Sequence, residues 1–300
     1  MRIEGKGQIV EVQYNRYLVL YKGERYPCRV RGSLSVEGDP KGERLGANFF
    51  LSAGDFVRFE CPKAGAPGRI LSVYPRRNAL VRPYVANLDA LFVVIAPVPA
   101  PDWVLVDKVL LNCFHVGIRP VLCYNKADTV PQEEAQAALA PYRPLVDCVI
   151  LSAQTGEGIE KLAPYVEGRF VAFAGQSAVG KTSLMSRILG VELATDGLTK
   201  WERGRHTTRS VAVYEALGGS IADTCGFSML EAVEDVKPEE LRLYYDEYLA
   251  LANACRFRGC THTVEPDCAV KRAVEEGQLD SGRYRRYLQI YKELKEKWEW

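Results

Sequence analysis

The nine residues GQSAVGKTS, Gly175 to Ser183, decide the reading of this chain. They fit the pattern G-x-x-x-x-G-K-[ST], preceded by the strand-like run FVAFA and followed by the helix-like SLMSRIL. A strand–loop–helix setting is what distinguishes a phosphate-binding loop from an ordinary turn. Gly175 and Gly180 let the chain curl, so that backbone N–H groups along Gln176, Ser177, Ala178, Val179 and Ser183 can face phosphate oxygens. The helix N-terminus adds a partial positive charge. Lys181 is expected to reach the β- and γ-phosphates and to take part in catalysis, and Thr182 to offer its hydroxyl to Mg²⁺.

Working downstream, IADTCGF supplies Asp223-x-x-Gly226, with Asp223 48 residues after Gly175, the first residue of the phosphate loop. An acidic residue ending a parallel strand beside such a loop can hold Mg²⁺ through water, and the Gly226 N–H can meet the γ-phosphate. Between the two, GRHTTR carries Thr207 and Thr208, one of which could give the second metal hydroxyl of a switch that orders only with triphosphate. Which of the two does so stays open. Upstream, YNKAD places Asn125, Lys126 and Asp128 at the end of the strand-like PVLCY. A carboxylate such as Asp128 can accept from both N1–H and the 2-amino group of guanine, which adenine lacks, so the tetrapeptide favours GTP over ATP. In LSAQTGEG, Ser152 and Ala153 fit the backbone loop that contacts the guanine O6. Base recognition thus precedes the phosphate loop and the switches follow it. This is a circular permutation of the usual GTPase order, tolerable because the termini of compact domains often lie close together.

The flanks differ in texture. Residues 1 to about 75 read as short alternating strands, among them Val57, Phe59 and Cys61, broken by YKGE, EGDPKGE, SAGD and PKAGAPG. That pattern predicts a small β-barrel of the OB or SH3-like type. This segment holds 12 Lys/Arg against 8 Asp/Glu, and Arg76, Arg77 and Arg82 follow directly, although the whole chain carries a net charge of only +1. The bias is modest, compatible with a solvated surface or with an oligonucleotide partner. Continuous apolar runs from residue 89 to near Val233 alternate with helix-like segments and predict an α/β domain with a largely parallel sheet. The last stretch, 234–300, is helix-rich, with Tyr284, Tyr287, Leu288 and Tyr291 at packing positions. Ahead of them Cys255, Cys260, His262 and Cys268 are spaced C-x₄-C-x-H-x₅-C, a closed set of soft ligands suited to one structural zinc. His115, alone on a helix-like segment, reads as structural.

Nine cysteines, six of them scattered singly, argue for a reducing compartment, so the cytoplasm is expected. No signal peptide is expected before the first strand, and ALFVVIAPVPAP is too short and Pro-broken to span a bilayer.

With these residues in view, the chain resembles the bacterial circularly permuted, small-ribosomal-subunit-dependent GTPases of the RsgA/YjeQ family. The resemblance covers nearly the whole length: Tyr26-Pro-Cys-Arg-Val-Arg-Gly32, Asn78-x-Leu-x-Arg-Pro-x-Val-Ala-Asn-x-Asp89, Asn125–Asp128, Gly175–Ser183, Gly204-Arg-His-Thr-Thr208, Asp223–Phe227 and the Cys/His cluster. Two positions depart from the family pattern: Ala178 stands where Gly is common, and Cys225 replaces the Pro of DTPG. The fold class expected is multidomain: an N-terminal OB-fold β-barrel (1–75), a central, circularly permuted α/β P-loop GTPase domain (76–233) and a C-terminal helical zinc-binding domain (234–300). Phe227 stands where many GTPases carry the Gln that orients the attacking water, so His206 is the candidate for that task, a role the resemblance supports. The resemblance implies a monomeric, membrane-free GTP hydrolase that turns GTP into GDP, docks on the small ribosomal subunit and its rRNA, and serves late subunit maturation. One competing reading is an RNA-binding module in which hydrolysis is incidental. Another, a zinc enzyme with a regulatory GTPase, needs an open metal position that a four-ligand set does not leave.

Overall fold

The computed structural model describes residues 2–13, 15–30, 32–39, 45, 49–62, 67–81, 84–191, 211–224 and 235–299. Its first five strands are β1 (Ile3–Gln13), β2 (Arg16–Tyr21), β3 (Glu24–Val30), β4 (Phe56–Cys61) and β5 (Gly68–Val73). Alternation sets their faces: in β4, Val57, Phe59 and Cys61 point inward while Arg58 points out. β1 pairs antiparallel with both β2 and β4, β2 with β3, and β4 with β5, and β5 closes the ring by running parallel to β3. The result is a closed five-stranded barrel of the OB type, filled by Ile9, Val19, Tyr26, Cys28, Val57, Phe59 and Ile70. At Gly7 a Cβ would run into Val19, so only glycine allows β1 to close on its neighbours there.

β1 is long enough to serve three partners: β2, β4 and β12. Its first half, Ile3 to Gln8, pairs with β4, the ladder shifts between Ile9 and Glu11, and Glu11 then pairs with Ala212. The connector forms a short hairpin, β6 (Ala79–Val81) with β7 (Tyr84–Ala86). Asn87 beyond it is buried in the left-handed region at φ 59°; its side chain accepts from the Arg77 N–H and donates to the Gly54 carbonyl. Asp89 accepts from the N–H of Phe170 at 2.8 Å.

The α/β elements follow: β8 (Ala90–Ile95), α1 (Trp103–Val116), β9 (Arg119–Tyr124), α2 (Gln132–Leu139), β10 (Asp147–Ile150), α3 (Ala163–Val166), β11 (Phe170–Ala174), α4 (Lys181–Leu189), β12 (Val211–Ala216) and β13 (Gly219–Thr224). Every residue of β8 and β11 is buried, which is why both read as unbroken apolar runs. β10 lies parallel to β9 and β11 parallel to β13, while β12 and β13 form an antiparallel hairpin. The C-terminal part holds α5 (Asp246–Leu249), α6 (Ala269–Glu275) and α7 (Ser281–Trp298). Among the described residues no helix is long and apolar enough to cross a membrane.

Two compact units emerge, and neither is continuous in sequence. One is Met1–Leu91 with Ile159–Ala174 and Lys181–Phe227; the other is Phe92–Gly158 with Gly175–Gly180 and Ser228–Trp300. Within the second, α7 packs on α1 through a buried polar network. Asp107, fully buried on α1, accepts from Arg283 Nη1 at 2.6 Å, Arg286 Nε at 2.5 Å and the Tyr142 hydroxyl at 2.9 Å, and Arg283 also donates to Glu247 at 2.7 Å. Tyr287, Ile290 and Leu294 supply the apolar side of the same helix, with Tyr284, Leu288 and Tyr291 packed against that core. His115 is structural in this sense as well: its Nδ1 lies 2.8 Å from the Tyr244 hydroxyl.

Candidate nucleotide and metal sites

Asn125 organises the base-recognition side. It is buried at the end of β9, and its backbone N–H donates to the Ile95 carbonyl. Its Nδ2 donates to the Val179 carbonyl at 2.8 Å and its Oδ1 accepts from the Ala153 N–H at 3.0 Å. One amide therefore ties the loop at Val179 to the loop at Ala153. Lys126, left-handed at φ 60°, spans the loop from the other side and donates to the Ala178 and Val98 carbonyls, each at 2.8 Å. Asp128 is exposed, yet the buried Ser152 hydroxyl fixes it at 2.5 Å, and the same oxygen accepts from the Thr155 N–H. A carboxylate both anchored and open to solvent can take two N–H donors from a purine edge.

The phosphate loop has the backbone its sequence demands. Gly175 sits at φ 138° and Gly180 at φ 94°; a Cβ on the first would collide with the Val94 carbonyl and on the second with the Asn125 amide. Between them Ala178, the departure from the family pattern, also lies in the left-handed region, at φ 63°. A residue with a Cβ pays about 1–2 kcal/mol there, so this loop carries strain that glycine would not. Gln176 accepts from the Asp102 N–H at 2.9 Å, and Asp102 is the N-cap of α1.

In the other unit, α4 opens with Lys181 and Thr182, and Asp223 lies near the end of β13. Burial lowers Lys181 to about 8, against the pull of Asp223; burial raises the Asp223 carboxyl, against the pull of Lys181. Both are partly desolvated and poised for a highly charged ligand. Thr182 and Asp223 offer hard oxygen donors, the kind Mg²⁺ takes. His206, Thr207, Thr208 and Gly226, with Cys225 and Phe227, lie outside the described residues.

The four sequence-expected soft ligands come together. One ligand atom each from Cys255, Cys260, His262 and Cys268 lies within 4.8 Å of all the others. Cys255 and Cys268 Sγ are 3.9 Å apart, and His262 Nδ1 stands 3.7 Å and 3.3 Å from those two sulfurs. A tetrahedron with metal–sulfur bonds near 2.3 Å and metal–nitrogen bonds near 2.0 Å has edges of about 3.8 and 3.5 Å, so the cluster fits one ion. Burial pushes the Cys260 thiol up to about 12 and holds His262 below its usual value; a cation is the counter-charge that would favour thiolates there. The surroundings are built to hold this loop. The Ala269 N–H donates to Cys255 Sγ, Tyr284 and Tyr287 on α7 donate to the His262 and Thr261 carbonyls, and Glu265 accepts from Thr261 and Thr263.

Sequence reasoning overlooked Asp107, Gln176 as an acceptor for α1, and the left-handed turn at Ala178. The first had a signal, since Asp107 and Lys108 are the charged pair inside the apolar run WVLVDKVLL.

Comparison with known proteins bears directly on these features. The family profile described as RsgA GTPase matches residues 73–233. A protein of Geobacillus sp. (strain WCH70) named small ribosomal subunit biogenesis GTPase RsgA is 36% identical over 97% of this chain and 98% of its own length. One of the same name from Caldanaerobacter subterraneus subsp. tengcongensis is 39% identical over 97% of this chain and 96% of its own length. The crystal structure of YjeQ from Thermotoga maritima matches with a TM-score of 0.78 at 32% identity, over 97% of this chain and 99% of that one. YloQ, described as a circularly permuted GTPase, matches with a TM-score of 0.76 at 28% identity, over 98% of this chain and 96% of that one. The permuted order of the motifs agrees with the description of YloQ, and with a family profile over more than half of its length and relatives of 36–39% identity over nearly all of it, the chain belongs to the RsgA GTPase family.

Proposed function

We propose that this protein is a GTP hydrolase that binds the small ribosomal subunit and acts in its late maturation, releasing GDP and phosphate faster when the subunit is bound. The observation that carries the nucleotide half is Asn125, which joins the phosphate loop at Val179 to the base loop at Ala153. The subunit half rests on the names of relatives that span nearly the whole chain.

Each residue has a task in this reading. Asp128, steadied by Ser152, accepts from guanine N1–H and its amino group, and the Ala153 region faces O6. N–H groups from Gly175 to Ser183 and the N-terminal end of α4 hold the phosphates. Lys181 places its ammonium against the β- and γ-oxygens, where charge grows as the bond to the leaving oxygen breaks. Mg²⁺ would be held by Thr182, Asp223 and one of Thr207 and Thr208, and supplies charge neutralisation at the β- and γ-phosphates. Gly226 would add an N–H to the γ-phosphate. With Phe227 unable to orient water, His206 is assigned that task. Cys255, Cys260, His262 and Cys268 would hold one structural zinc. The functional division is a barrel at 1–75, a GTPase domain at 76–233 and a zinc module at 234–300, in a cytoplasmic, monomeric protein.

Steady-state GTP hydrolysis by the purified protein, alone and with small or large subunits, tests the proposal. Stimulation by small subunits only is expected; equal rates in all three conditions would refute it.

A further inference from the structure

The loop between the first two metal-site cysteines reads C-R-F-R-G-C, and neither nucleotide nor metal chemistry uses its tip. Phe257 stands there 43% exposed. A large aromatic ring is ordinarily buried, and here the local backbone holds it out. Both ends of the loop are fixed, because Cys255 and Cys260 belong to the cluster. The Cys260 N–H closes a turn onto the Phe257 carbonyl, the Arg256 N–H donates to the Asp267 carbonyl, and Gly259 takes the left-handed turn at φ 75°. The ring is therefore presented at little further cost in ordering.

Its neighbours are two guanidinium groups. Arg256 lies over the Phe257 ring, 5.4 Å from the centroid, and its ion pair with Asp267 is mostly exposed on both sides, hence weak and exchangeable. Arg258 is exposed and has no ion-pair partner among the described residues. From Arg256 to Gly259, and at Asn253 and Ala254, every residue is exposed. A protein partner gains from an aromatic anchor only where surrounding contacts exclude water, and so narrow a tip offers little of that surface. Stacking on a base needs one free ring face, with cations placed to meet the sugar–phosphate chain on either side. We propose that Phe257 is a stacking platform for an unpaired RNA base, with Arg256 and Arg258 contacting the flanking phosphates. This deepens the small-subunit reading and rests on it for the source of the RNA.

The test uses the full metal-loaded chain. The probes are a single-stranded oligoadenylate RNA about eight nucleotides long, an abasic strand of equal length, and purified small subunits. Phe257→Ala should weaken oligoadenylate and small-subunit binding about tenfold, leave the abasic strand unaffected and keep basal GTP hydrolysis. Phe257→Trp should retain affinity and show indole quenching on oligoadenylate that the wild type lacks. Unchanged oligoadenylate binding by Phe257→Ala, or absence of quenching in Phe257→Trp, overturns the proposal. So does a loss confined to small subunits, which would make the tip's partner a protein. If wild-type protein binds oligoadenylate through Phe257 but ignores small subunits, the platform stands and the ribosomal reading fails.

Discussion

Among the described residues, replacing Asp107 by alanine removes the only carboxylate facing Arg286 in the packing between α1 and α7. In the folded chain Arg283 and Arg286 are 6% and 16% exposed, and Asp107 is fully buried. Arg283 would keep its 2.7 Å contact with Glu247, whereas Arg286 would be left with the Tyr142 hydroxyl alone. Breaking one side of a buried pair costs about 3–5 kcal/mol, chiefly because the surviving charge has neither water nor a partner. For a cooperative unit of this size that is a fall in Tm of about 10 °C, read by far-ultraviolet circular dichroism on metal-saturated protein. The cause is separable from simple loss of contacts. Asp107→Leu combined with Arg286→Met removes one charge of each sign and leaves the Arg283–Glu247 pair intact, so it should recover most of the lost stability. A fall of less than about 2 °C for the single variant, or a double variant no better than the single, would refute the reasoning.

Three further outcomes are expected. Ala178→Gly should stabilise the ligand-free protein by about 0.5–1 kcal/mol, because the residue already occupies the left-handed region; lower stability in urea unfolding would contradict this. GTP binding should take up a proton at about pH 9: Lys181 is protonated in the free chain only below about 8, phosphate charge restores its proton, and affinity therefore falls as pH rises past 8. Calorimetric heats that do not depend on the ionisation enthalpy of the buffer at that pH would rule it out. Wild-type protein should retain one zinc against a chelator of about nanomolar affinity while Cys260→Ser loses it, and equal metal content after dialysis would show that the cluster is not the site.

The legible parts of this molecule are those where chemistry dictates residue type at fixed spacing. A phosphate loop needs glycines where φ turns positive, a guanine site needs an amide and a carboxylate two to three residues apart, and a metal clip needs soft ligands within a short span. The barrel was legible as a barrel because its strands alternate, but choosing between OB and SH3-like types depended on β3 and β5 pairing in parallel, a contact between distant segments with no local mark. Neither the tie between Asn125 and Val179 nor the meeting of Gln176 with the N-cap of α1 was legible, since the motifs name the residues without naming the backbone groups they bond. Asp107 shows the limit most clearly. Its placement in an apolar helix announces a buried charge, but its two arginine partners lie 176 and 179 residues away and only tertiary packing identifies them.

The continuation of β1 beyond its bulge has a consequence for anyone dividing this protein. One row of paired residues runs Pro27, Leu18, Glu11, Ala212, Asp223, so the barrel's first strand covers a flank of the hairpin that ends at the expected metal ligand. A fragment lacking residues 1–75 would lose the pairing of Glu11 with Ala212, and that part of the β12 edge would be free to pair with the same strand of another copy. Self-association of such a fragment would then be a product of the cut, and its hydrolytic rate would describe an aggregate rather than a GTPase released from its barrel.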